Sequence, residues 1–124
     1  MREIKFRGKS IESGEWVYGD LRTTGDEITI NYLIIASESG LHINMSIPVD
    51  PDTVGQFIGL HGKSGEDIYE GDIVRSASTR LFEVRYELGA YRGKHGDSKI
   101  VLEDDSYYEV IGNIFDTLEL LQQC

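Results

Sequence analysis

GQFIGLHGKSGEDIYEGDIVR, residues Gly55 to Arg75, decides how the chain is read. Two apolar runs, Phe57 to Leu60 and Ile68 to Val74, flank His61-Gly62-Lys63-Ser64-Gly65, a polar, glycine-bracketed segment able to reverse the chain. The pattern predicts a hairpin. Its second run breaks at Glu70-Gly71-Asp72, where glycine admits a positive φ and aspartate can bond its own backbone, and resumes as Ile73-Val74. A strand bent in this way suits entry into a small barrel.

Upstream, Asp50-Pro51-Asp52-Thr53 has the form of a helical turn, with Asp50 as N-cap and Pro51 in the first turn. Before it, Leu41, Ile43, Met45, Ile47 and Val49 alternate with His42, Asn44, Ser46 and Pro48, which predicts a strand with His42 on its solvated face. Pro48 cannot donate to a ladder, so that strand ends there or lies at an edge. Ile28, Ile30, Tyr32 and Ile34 form one face of another strand, and Trp16 with Tyr18 one face of a third. At the start, Ile4 and Phe6 point one way, and Glu3, Lys5 and Arg7 the other.

Downstream, Phe82, Val84, Tyr86 and Leu88 alternate with Glu83, Arg85 and Glu87, and Gly89 allows a kink. Arg92 to Asp97 reads as an exposed loop. Ile100 to Leu102 and Tyr107 to Ile111 read as a final strand pair around Asp104-Asp105-Ser106. Asp116-Thr117-Leu118-Glu119 has capping-box spacing, which predicts a short helix. The resulting plan is one domain: strands over 1–49, a helical turn over 50–55, a barrel over 56–115 and a short helix over 116–122.

The 124 residues suit one domain, and 14 glycines with seven tyrosines favour strands and turns, hence a mostly β protein. No apolar N-terminal run resembles a signal segment or a membrane span, and the lone Cys124 fits a reducing compartment, so a cytoplasmic location is expected. The net charge of −10 disfavours nonspecific binding to phosphate backbones. Locally, bases dominate from Arg75 to Lys99 and acids from Glu103 to Glu119. That contrast suits neighbouring strands paired across a sheet, or alternatively a dedicated binding patch.

Catalytic patterns are missing from the sequence. Glu66, Asp67, Glu70 and Asp72 supply oxygen ligands without the spacing of an EF-hand loop. His42, His61 and His95 stand singly, and Gly62-Lys63-Ser64 lacks the earlier glycine of a phosphate-binding loop. Cys124 has no activating neighbour. No catalytic residue, metal or cofactor is therefore expected. Tyr69 beside Glu70 suits either an interface anchor or a barrel interior. Tyr69, Glu70, Asp72 and Arg92 are the candidate interaction residues, associated with the polar loops Gly62 to Glu70 and Arg92 to Asp97.

Asp50-Pro51-Asp52-Thr53-Val54-Gly55-Gln56-Phe57, Gly59-Leu60, Gly65 and Ile68-Tyr69-Glu70-Gly71-Asp72-Ile73-Val74 together resemble the YopX family of small phage and prophage proteins. Arg2 to Arg7, Gly89-Ala90-Tyr91, Val110 to Phe115 and Glu119-Leu120-Leu121 extend the likeness over nearly the whole chain. The resemblance implies a largely β fold, with an SH3-like barrel in the second half behind an N-terminal strand extension, and homo-oligomers in at least some members. It implies no established activity. The expectation is a non-enzymatic accessory protein in the cytoplasm of a bacterial host, binding copies of itself and a host or phage protein. The alternatives are a nucleic-acid-associated module using the basic segment, or an acidic mimic of DNA that occupies a host protein.

Overall fold

The structure is a computed structural model that describes residues 4–35, 38–77, 80–87, 89–95, 98–102 and 108–122. The protein is mostly β, built from antiparallel pairings, and divides into two compact units at Gln56 and Phe57, within a single strand.

The first unit holds β1 (Phe6–Lys9), β2 (Trp16–Thr24), β3 (Glu27–Ile35) and β4 (His42–Pro48), in the sheet order β4-β3-β2-β1, with the start of β5 (Gly55–His61) against β1. Strand β2 changes partner midway: Trp16 to Gly19 pair with β1, and Asp20 to Thr24 with β3. Gly19 sits at the change, where a Cβ would overlap the carbonyl oxygen of Asn31, so only glycine lets the strands approach this closely. The faces of β1 differ from the expected ones. Arg7 is buried with its guanidinium 4.5 Å from the Trp16 ring centroid, because a cation can stack on an indole face and keep its aliphatic stem covered, and Ile4, which precedes the strand, is exposed. After β4 comes a single 3₁₀ turn, Pro51–Thr53, in which Asp50 Oδ1 accepts the Asp52 N–H at 3.0 Å. The Thr53 hydroxyl accepts from the Lys9 N–H at 2.9 Å and ties this turn to β1.

In the second unit, the rest of β5 forms the expected hairpin with β6 (Asp67–Tyr69), Phe57 opposite Tyr69 and His61 opposite Asp67. Gly71, at φ 91°, then redirects the chain into β7 (Asp72–Arg75). β7 joins a five-stranded sheet in the order β10-β9-β8-β7-β11, made with β8 (Leu81–Glu87), β9 (Ala90–His95), β10 (Ser98–Val101) and β11 (Glu109–Asn113). Ile58, Ile68, Val74, Phe82, Val84, Leu102 and Tyr108 form its core, each large apolar side chain contributing about 1.5–3 kcal/mol on burial.

Four expectations are corrected here. The SH3-like barrel is not confirmed, because β10 and β11 remain the two edges of an open sheet rather than pairing to close it. The same arrangement removes the expected final strand pair: β10 pairs with β9, and β11 pairs with β7. The Asp104-Asp105-Ser106 turn lies outside the described residues. Arg92 to His95 belong to β9 rather than to a loop; a turn at Gly89, φ 78°, folds them back on β8 with Arg92 opposite Arg85. The C-terminal helix over 116–122 is not supported as an element of the fold, since helix amounts to one turn, Glu119–Gln122. Asn113 Oδ1 instead accepts the amides of Phe115 and Asp116, each at 2.9 Å, and so holds that segment as an Asx turn. Cys124 is outside the described residues.

Candidate interaction surface

Beyond Asn31, β3 loses β2 as a neighbour, and among the described residues Tyr32 to Ile35 pair with β4 alone. These residues and their partners form a two-stranded arm about 14 Å long. Directly opposed residues share a face. Ile30 with Ile47, Tyr32 with Met45, and Ile34 with Ile43 make one wholly apolar ladder; Leu33 with Asn44 and Ile35 with His42 occupy the other face. At the base of the ladder Ile30 is fully buried, but toward the tip Ile34 and Ile43 are each 43% exposed, and Ile35 59%. Leu33 and Leu41 are exposed as well. Large apolar side chains therefore face solvent on both sides of the arm. Charge sharpens the contrast: 27% of the chain is charged, yet Glu38 is the lone charged residue from Ile28 to Val49.

The four candidate residues named from the sequence do not come together as a surface. Tyr69 is 3% and Asp72 2% exposed, and the Asp72 carboxylate accepts the buried Tyr69 N–H at 2.8 Å. Both belong to the turn that carries β6 into β7. Tyr69 also packs its ring on Phe57, centroids 5.8 Å apart. Glu70 is half-buried in the same turn. Arg92 lies half-buried on β9, its Nε–H donating to the Glu87 carbonyl at 2.9 Å.

The acidic residues near the central loop are also divided among separate partners. Glu66 accepts the Ser64 N–H at 3.1 Å with one oxygen and the Val110 N–H at 3.3 Å with the other. Asp67 Oδ1 lies 3.1 Å from His61 Nε2. Among the described residues no three acidic, histidine or cysteine side chains are placed to hold one metal ion.

Two bases of the locally basic segment, Arg75 and Arg85, are engaged by carboxylates. Arg75 pairs with Glu109 across β7 and β11 at 3.1 Å. Arg85 is held between Glu83, at 2.8 Å, and Glu87, at 3.3 Å. Its pKa is raised, first by the hydrogen bond to Glu83 and against the desolvation that lowers it. A smaller exposed apolar patch lies in the second unit, where Tyr86, 56% exposed, meets Tyr91 at a centroid separation of 5.0 Å beside Val101.

An open, antiparallel two-sheet β fold with an exposed apolar arm defines the class. The chain belongs to the YopX family, whose profile, described as YopX protein, matches residues 5–122. The chain is also similar to protein EF1440 from Enterococcus faecalis, known from a crystal structure, with a TM-score of 0.63, 23% identity, and coverage of 98% of this chain and 99% of that one. That likeness concerns the fold. No curated protein matches the chain. Among the described residues no helix is long and apolar enough to cross a membrane.

Proposed function

We propose that the protein is a non-enzymatic accessory protein of phage or prophage origin that acts in the bacterial cytoplasm by binding proteins, beginning with copies of itself. The observation that carries this reading is the arm, which exposes apolar residues on both faces within a nearly charge-free segment of an otherwise acidic chain. An acidic protein approaches another acidic protein at least electrostatic cost through such a segment. The phage origin rests on family membership. Asp72 and Glu66 near the central loop hold backbone amides in place, which weighs against a chemical role for these two carboxylates. Engagement of Arg75 and Arg85 by glutamates weighs against the nucleic-acid reading.

Sedimentation equilibrium of the wild type and of the Ile34→Asp/Ile43→Asp double variant tests the proposal. The wild type is expected at a multiple of its 14.0 kDa chain mass, and the double variant at the chain mass with its far-ultraviolet spectrum retained. A wild type that stays at the single-chain mass up to several hundred micromolar refutes self-assembly. Turnover of any substrate that a single carboxylate substitution abolishes refutes the non-enzymatic reading.

A further inference from the structure

The outer edge of β4 carries a finer prediction about how two copies meet, and this inference rests on the self-assembly reading above. Among the described residues, β4 is the first strand of its sheet and pairs with β3 alone. The Val49 N–H donates to the Ile28 carbonyl at 3.0 Å, so in an antiparallel ladder Ile47, Met45 and Ile43 also direct their peptide groups toward β3. Alternation leaves the N–H and C=O groups of His42, Asn44 and Ser46 on the outer edge. Pro48 falls in the same outward set, but it has no N–H, and its carbonyl already accepts the Ile11 N–H at 3.0 Å. The open edge is therefore bounded on one side. It also lacks what edge strands use to repel a second sheet, because no carboxylate, ammonium or guanidinium group stands anywhere in β4.

We infer that two copies of the chain join by antiparallel pairing of their β4 edges, centred on Asn44. In this register Asn44 lies opposite the partner's Asn44, His42 opposite the partner's Ser46, and Ser46 opposite the partner's His42. Each of these three pairs exchanges two main-chain bonds, so about six form, and every outward N–H of the edge is used. The register is selective. Centring on Ile43 leaves both copies of Ser46 unpaired, and centring on Met45 sets His42 against Pro48, which has no N–H to give and whose carbonyl is occupied. The side chains agree with the Asn44 register: Ile43 falls opposite the partner's Met45 on the apolar face, and Asn44 and His42 meet uncharged polar residues on the other. A second copy of this chain is favoured over a basic or nucleic-acid partner because the segment offers no carboxylate in β3's arm or β4 for a base to pair with, and no lysine or arginine for a phosphate. Two chains of charge −10 can also approach here without setting acids face to face.

Disulfide trapping reads the register directly. In a Cys124→Ser background, Asn44→Cys sets two thiols in one hydrogen-bonded pair, whose Cα separation of about 5.5 Å lies within the range a disulfide spans. Mild oxidation is expected to yield a covalent dimer. His42→Cys alone is the control, since the two copies of residue 42 lie four positions apart along the ladder, about 13 Å, and are expected not to link. The variant Asn44→Pro keeps the β3–β4 ladder, because its missing N–H points outward as at Pro48, but it deletes the two central bonds. It is expected to weaken self-association by about 30-fold to 100-fold in sedimentation equilibrium, with unchanged thermal unfolding of the monomer.

Self-association that persists undiminished in Asn44→Pro, with no trapping at Asn44→Cys, overturns the edge pairing while leaving self-assembly intact. Trapping at His42→Cys but not at Asn44→Cys overturns the register. A wild type that is monomeric at every concentration overturns both this inference and the assembly reading it depends on.

Discussion

Replacing Asp72 by alanine tests whether the Glu70-Gly71-Asp72 element is structural. The Asp72 side chain is 2% exposed, and its Oδ2 accepts the buried Tyr69 N–H at 2.8 Å, three residues back along the turn. A hydrogen bond to a charged group contributes about 1.5–3 kcal/mol, and a buried amide left without an acceptor costs about 1–3 kcal/mol. These terms overlap, so the expected loss for Asp72→Ala is about 3 kcal/mol. Asp72→Asn keeps an acceptor oxygen and nearly the same volume, and is expected to lose about 1 kcal/mol. With a urea slope of about 2 kcal/mol per molar, the alanine variant should unfold about 1.5 M earlier by circular dichroism. Amide exchange at Tyr69 should accelerate in parallel. A midpoint shift below about 0.3 M, with Tyr69 protection unchanged, refutes the assignment of this carboxylate to the turn.

Gly71→Ala forces a side chain to φ 91° and should cost about 1–2 kcal/mol, read as a lower thermal midpoint. Glu66→Ala releases the amides of Ser64 and Val110, so hydrogen exchange at those two positions should speed up, with a loss of about 1–2 kcal/mol. Arg85→Ala should cost no more than about 1 kcal/mol, since its pairs with Glu83 and Glu87 are partly open to solvent and screened. The raised Arg85 pKa gives a stabilisation fully present below the arginine's ordinary value and lost only as pH rises through the raised one. The stability difference between wild type and Arg85→Ala should therefore stay flat in urea titrations from pH 7 to 10.

Local chemistry made some elements legible in the sequence. The glycine-bracketed loop gave the β5–β6 hairpin, Asp50-Pro51 gave the capped turn, and the faultless alternation of residues 41–49 gave β4. Closure of a sheet depends on which distant strands pair, and nothing local to Ile100 or Val110 says that β10 and β11 end on opposite edges. Asp116 and Glu119 had capping-box spacing, but Asn113 Oδ1 accepts the amides of Phe115 and Asp116 while the Asn113 N–H donates to Thr117 Oγ1, so a side-chain-held turn occupies the residues where the helix was expected to start. Arg92 and Lys94 made a strand look like a loop because their polar side chains alternate with Tyr91 and Gly93, and a glycine offers no apolar signal. For the candidate surface, alternation at Ile43 and Ile47 shows that a face is apolar but not what covers it. The signal that would have pointed to the arm was charge: a run from Ile28 to Val49 broken only by Glu38.

The partner change of β2 at Gly19 and Asp20 has a consequence for the native ensemble. Among the described residues, the arm past Asn31 is joined to its sheet through β3 and β4 alone, so its tip can open as a separate cooperative step without disturbing Ile30 or Val49. Opening of this kind requires only the loss of a few cross-strand pairs, far less than global unfolding. Under the proposed self-assembly, such a segment would gain order when a second copy arrives and surrender it on dilution, and the rigidity of the arm would then depend on protein concentration.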